Sequence, residues 1–150
     1  MSTSHARSGK LSFEALLNLA NAGEHKKVVN ATRELKDQST ESLQYRLLRG
    51  ASLVSLKKFD EAFSCLLVAL EISPNNVDAL SLAGTCLART GKFEDAIHYF
   101  KMAYRLRPDM LIGQTLLRAA LSAEGHDQLV ETVFRTLYPK FFQSNKNRYV

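Results

Sequence analysis

The chain has 150 residues, of which 45% are hydrophobic, enough to build one domain around a real core. Seven Gly and three Pro are too few for a disordered or collagen-like chain, and no apolar run approaches the roughly 18 residues that cross a bilayer. The formal charge of +5 favours acidic partners modestly and carries no information about fold.

In chain order, residues 1–8 read as a flexible leader. Met1 to Lys10 is polar, and the first apolar stretch is broken by Glu14 and Asn18, so no secretory core forms. Ser and Arg without an acid before Glu14 also fit a short organelle transit peptide. The plain leader, in a cytoplasmic protein, is the reading kept. A single domain is expected over 9–144, and 145–150 form a tail.

Within that domain the sequence repeats with a period of 34. Gly50 meets Gly84, Leu53 meets Leu87, Leu66 meets Phe100, Ala69 meets Ala103, and Pro74 meets Pro108. Lys57-Lys58-Phe59-Asp60-Glu61-Ala62 aligns with Gly91-Lys92-Phe93-Glu94-Asp95-Ala96. The same slot is filled more weakly by Gly23 to Val28 and by Gly125 to Val130, with Phe134 under Phe100. The chain thus divides into units near 9–42, 43–76, 77–110 and 111–144, two well formed and two degenerate. Terminal units lack one neighbour, so degeneracy is expected there.

Each aligned residue type has a packing role. Glycine in one helix and alanine in the next let backbones approach closely, and Leu66 or Phe100 fills the space beyond. Pro74 and Pro108 stop the preceding helix through the missing N–H and the ring clash. Asn75-Asn76 and Asp109 then supply turn and N-cap chemistry. Apolar residues between Gly84 and Pro108 recur at three and four, the helical period. Two short helices per unit follow, and the fold class is all-α.

On these residues the chain resembles the tetratricopeptide-repeat family. Gly84, Leu87, Ala96, Phe100, Ala103 and Pro108 match its signature, and Gly50, Leu53, Ala62, Leu66, Ala69 and Pro74 match nearly as well. The resemblance implies a solenoid of helix-turn-helix units that binds other proteins. Two departures stand out. Arg46 occupies the place of the family's large aromatic, and Arg49 that of an apolar residue. They imply a loose first junction, a charge pair with Glu34 or Asp37, or two side chains that snorkel to solvent.

Chemistry finds no foothold. The sequence has no glycine-rich phosphate loop, HExxH, GxSxG or EF-hand spacing. His5, His25, His98 and His126 lack a second ligand at i+4 and read as solvated. Asp60-Glu61 and Glu94-Asp95 complement helix dipoles better than they form a catalytic pair. Cys65 and Cys86 read as buried free thiols. No enzyme activity, cofactor, metal or small-molecule substrate is expected. Basic residues such as Lys26, Lys27, Arg33, Lys36, Lys101, Arg105 and Arg107 are interspersed with acids on second helices. A solvated face explains them better than nucleic-acid binding does.

The concave wall of such a solenoid is built by the first helix of each unit. By repeat register it should present Phe13, Leu17 and Ala20, then Gln44, Leu47, Ala51 and Val54. Asp78, Ser81, Thr85 and Ala88 follow, and then Ile112, Thr115, Ala119 and Ser122. This wall has almost no positive charge. Family members that grip the acidic C-termini of heat-shock chaperones use Lys, Asn and Arg in this groove. The matching positions here are Phe13, Leu17, Leu48, Asp78 and Leu82, or Leu47, Ala51, Leu82, Ile112 and Leu116, and they lack those donors. An amphipathic helix or extended apolar segment of another protein suits the wall better. Alternatively the chain's own ends fill it, because Phe141, Phe142, Tyr149 and Val150 are apolar.

The predicted function is therefore a chaperone or adaptor whose contacts centre on Phe13, Leu17, Gln44, Leu47, Ala51, Val54, Ser81, Thr85 and Ala88. Leu16-Leu17-Asn18-Leu19-Ala20 with Gly23 and His25 also resembles small chaperones of bacterial type III secretion, as does Leu48 to Leu53 with Lys58 to Ala62. That resemblance implies a needle or translocator subunit as the partner. A multi-partner scaffold, with end faces open to self-association or a larger complex, is the other reading. A nucleic-acid binder ranks below both.

Overall fold

The computed structural model describes residues 11–35, 40–122 and 127–137, together with Pro139. The leader 1–8, the tail 145–150, His5, Asp37, His126 and the apolar residues from Phe141 onward lie outside them. Among the described residues there is no strand. The helices are α1 (Phe13–Asn21), α2 (His25–Ala31), α3 (Thr40–Ser55), α4 (Phe59–Ile72), α5 (Val77–Arg89), α6 (Phe93–Leu106), α7 (Met110–Ser122) and α8 (Asp127–Leu137). Consecutive helices pack as antiparallel pairs, and each pair packs on the next to give a stack of α-hairpins.

The helix limits follow from local chemistry. Ser12 Oγ accepts from the Ala15 N–H at 3.2 Å and Asn76 Oδ1 from the Ala79 N–H at 2.9 Å, each capping a helix start. Asp109 Oδ1 accepts from the Leu111 N–H at 2.7 Å and does the same for α7. α4 and α6 end at Ile72 and Leu106, two residues before Pro74 and Pro108. Inside each hairpin the turn repeats a single device. Gly23, Lys57 and Gly91 adopt φ of 78°, 59° and 81°. The next N–H then bonds back to the helix at Leu19, Leu53 and Leu87, at 2.8, 2.9 and 2.9 Å. Lysine stands in the second turn where its neighbours have glycine.

Packing within a hairpin depends on the glycine-to-large pairing. A Cβ built on Gly50 would lie 2.8 Å from Leu66 Cδ2, and one on Gly84 would lie 2.8–2.9 Å from three atoms of the Phe100 ring. Leu66, Phe100, Leu53, Leu80, Ala62, Ala96 and Ala103 are all buried. One apolar cluster joins α2 to α5 around Leu53 and Leu66, and a second joins α5 to α8 around Phe100, Leu116 and Val133.

At the first junction the structure overturns the snorkelling alternative for Arg46. Arg46 is only 8% exposed, so it does not snorkel. Its Nη2 donates to the Leu35 carbonyl at 3.0 Å. Arg49 donates to the Val29 carbonyl and, at 3.2 Å, to Thr32 Oγ1. Both guanidiniums therefore dock on backbone carbonyls at and beyond the C-terminal end of α2, where the helix leaves acceptors unpaired. His25 adds a contact between its Nδ1 and Ser52 Oγ at 3.2 Å, and is half-buried rather than solvated. A family position that is usually apolar is here a hydrogen-bonded polar joint.

Candidate functional site: the concave wall

α1 packs on α3 and α3 on α5, and α7 faces α5 across a cleft. On α1, Leu17 is 39% exposed, while Phe13 is half-buried in an edge-to-face contact with Tyr45, ring centroids 5.5 Å apart. Phe13 thus closes the N-terminal end of the wall against α3 and presents only part of its ring. On α3, Gln44 is exposed and Ala51 half-buried. Leu47 and Val54 are half-buried and packed against the Leu53–Leu66 cluster. On α5, Ser81, Thr85 and Ala88 are half-buried. Thr85 Oγ1 donates to the Ser81 carbonyl at 2.9 Å, whereas Ser81 Oγ is buried without a hydrogen-bond partner.

α7 does not follow the period of 34. α4 and α6 begin 34 residues apart, but α7 begins 33 residues after α5, because the connection 107–109 is one residue shorter than the connection 73–76. Burial shifts in step. Ala79, Leu80, Ala83 and Cys86 of α5 are buried, and their counterparts in α7 are Ile112, Gly113, Leu116 and Ala119. The expectation that Ile112 faces the open wall is corrected: it is 7% exposed, inside a core cluster, while Ala119, 5% exposed, packs into the core and offers only an edge to the cleft below. The helix has turned by one residue, about 100°. Arg118 now stands level with Thr85, and exposed Leu111 and Leu121 take the places opposite Asp78 and Ala88. Full repeat register would instead have aligned Arg118 with Gly84, against the facing helix, where a long cation has no room.

Between α5, α6 and α7 the wall opens into a cleft of about 330 Å³. Thr85, Ala88 and Arg89 form one side, Thr115, Arg118, Ala119 and Ser122 the other, and Phe93 and Phe100 the floor. Two arginines, Arg89 and Arg118, thus belong to the lining at this end, where the expected wall had almost no positive charge. Arg89 is held over the Phe59 ring, its Cζ 5.3 Å from the centroid. Asp78, the acid on α5, is engaged by Arg107 Nη2 at 3.2 Å. Thr115 and Ser122 donate to the Leu111 and Arg118 carbonyls at 2.9 and 3.0 Å, which leaves their oxygens as acceptors toward the cleft. Sequence reasoning missed Arg89 and Arg118. The available signal was the cap: Asp109 directly follows Pro108, whereas Asn76 stands two residues after Pro74, so α7 starts one residue early.

Elsewhere the titratable groups are structural. Burial raises the Cys65 thiol above its ordinary range, against the opposing pull of Arg49 and Arg46. Burial pushes Cys86 up to about 11. Both are free thiols, and neither is poised as a nucleophile. Asp60-Glu61 and Glu94-Asp95 occupy the first turns of α4 and α6. Among the described residues no three His, Cys, Asp or Glu side chains gather into a metal-binding group. None of the described helices is long and apolar enough to cross a membrane.

A tetratricopeptide-repeat family model matches residues 43–76 and 77–110, two of the four units. Protein arginine N-methyltransferase 9 of Mus musculus and of Homo sapiens are each 34% identical over 83 residues, 55% of this chain. The chain spans 10% of the length of those relatives. Among solved structures, a crystal structure of MamA superposes with a TM-score of 0.71 at 16% identity, covering 90% of this chain and 81% of MamA. MamA 41-end from Desulfovibrio magneticus RS-1 gives 0.70 at 17% identity, covering 92% and 76%. At that identity the likeness is one of fold.

Proposed function

We propose that this chain, a tetratricopeptide-repeat protein by sequence and by fold, acts as a non-enzymatic adaptor or chaperone that holds a segment of a partner protein along its concave wall. The observation that carries this reading is the cleft between α5 and α7, lined by Thr85 and Ala88, together with accessible Ala51 on α3 and Leu17 on α1. A helical or extended segment with two or three apolar anchors fits such a surface. Burying about 400 Å² of apolar area on each partner would contribute roughly 20 kcal/mol gross, most of it offset by ordering and association costs.

Leu47 and Val54 remain candidate contacts, but their packing on the core makes them poor test positions, because a charge there would also unfold the hairpin. Ala88→Trp fills the cleft from its rim, and Leu17→Asp places a charge on the exposed N-terminal end. Either should reduce capture of partners from the native cell by at least tenfold while the helical circular-dichroism spectrum stays unchanged. Capture undiminished in both folded variants would reject the wall as the binding surface. The two forms of the proposal separate on co-expression. A chaperone, including one of the secretion type, solubilises one small self-assembling partner, whereas a scaffold retains several.

A further inference from the structure

We infer that the α5–α7 cleft selects a peptide segment carrying an acidic side chain beside an apolar anchor, an inference that rests on the concave wall being the binding surface. The cleft offers two kinds of polar group. Arg89 and Arg118 can only donate, and among the described residues neither is engaged by a carboxylate. Thr85, Thr115 and Ser122 have their hydroxyl hydrogens directed to carbonyls of their own helices, so their oxygens accept. A ligand that satisfies both sets must bring carboxylate oxygens and N–H donors together, as an acidic stretch of polypeptide does. The floor of Phe93 and Phe100, with Ala88 and Ala119 at the sides, takes an aliphatic side chain next to that acid.

Preorganisation favours the same ligand. Stacking on Phe59 restrains the Arg89 guanidinium before anything binds, which lowers the ordering cost of a charge-assisted bond. Asp78 does not compete, because Arg107 already engages it. Neither arginine lies at a position where the family's terminal-carboxylate grip would fall, so the ligand is an internal acidic residue and needs no free C-terminus. DNA is the poorer fit, since its sugar-phosphate backbone carries no donors for the three hydroxyl oxygens.

The test is selection of a phage-displayed library of random 16-residue peptides on the full purified chain, repeated with Arg118→Gln, Arg89→Gln and, as a charge-matched control on α6, Arg105→Gln. Peptides recovered by the unaltered chain should be enriched in Asp or Glu adjacent to Leu, Ile or Phe. Their affinity, measured by fluorescence anisotropy, should fall at least tenfold with Arg118→Gln or Arg89→Gln and when the acid is changed to its amide. Arg105→Gln should leave it within twofold. Apolar peptides without acid enrichment, blocked by Ala88→Trp, would overturn the acidic preference and leave the binding wall standing. Equal losses with Arg105→Gln would reduce the effect to net charge and overturn it as well. Recovery of no peptide above background would overturn the inference together with the wall itself.

Discussion

Replacing Gly84 by alanine tests the hairpin packing more sharply than any other single substitution. The added methyl would sit 2.8 Å from Phe100 Cε1 and 2.9 Å from Cδ1 and Cζ, against an optimum near 3.5–4.0 Å. The ring is 1% exposed, so it cannot swing aside, and α5 and α6 must separate by several tenths of an ångström. Overpacking of this kind costs about 1–3 kcal/mol. Three ring atoms inside 3.0 Å put Gly84→Ala in the upper part of that range, about 2–3 kcal/mol; alanine recovers up to about 1 kcal/mol through helix propensity, leaving a net loss of at least about 1–2 kcal/mol. The melting temperature should drop by about 2–8 °C. Gly50→Ala meets Leu66 Cδ2 at 2.8 Å and Cγ at 3.0 Å, but a branched aliphatic chain can rotate, so its loss should be smaller. Gly113→Ala meets the Leu137 Cδ2 methyl at 3.1 Å and Tyr104 Cε2 at 3.3 Å, and should be near neutral or slightly stabilising. Adding Phe100→Leu to Gly84→Ala should cost less than the two changes summed. Urea and thermal unfolding of the series check the order, and a Gly84→Ala protein as stable as the parent would refute the packing argument.

Three further outcomes follow from the same geometry. Lys57→Gly relieves a side chain held at φ 59° where the neighbouring turns use glycine, and should stabilise the chain by about 0.5–1 kcal/mol in urea unfolding; a loss would refute the strain. Arg49→Met removes the donor to the Val29 carbonyl and Thr32, and should cost about 1–3 kcal/mol. Amide exchange should accelerate in α1 and α2 while α5 and α6 stay protected. Cys86 keeps its proton up to about pH 11 in the folded chain, whereas the unfolded thiol ionises near 9. Stability should therefore fall as pH rises from 9 to 11, by up to about 1.4 kcal/mol per unit. The difference in slope between the parent and Cys86→Ala, read by urea unfolding at each pH, isolates that group.

Why some of this was legible in the residues alone is a matter of range. The 34-residue period, the proline stops and the glycine-to-large pairing are local or nearest-neighbour rules, and each hairpin obeys them wherever it sits. An all-α stack of helix pairs follows. The joint at Arg46 and Arg49 was ambiguous, because a buried guanidinium is tolerable only if carbonyls happen to face it, and that depends on where α2 ends relative to α3. The rotation of α7 was likewise invisible. It is a phase relation between helices, set when a connection one residue shorter before α7 lets Ile112, Gly113 and Leu116 reach the core in place of their neighbours. Periodicity along the chain thus determined which helices form and how they pair. The tertiary structure alone decided which side of the last pair looks into the groove, since one residue of slip turns a helix by about 100° and exchanges an alanine for an arginine.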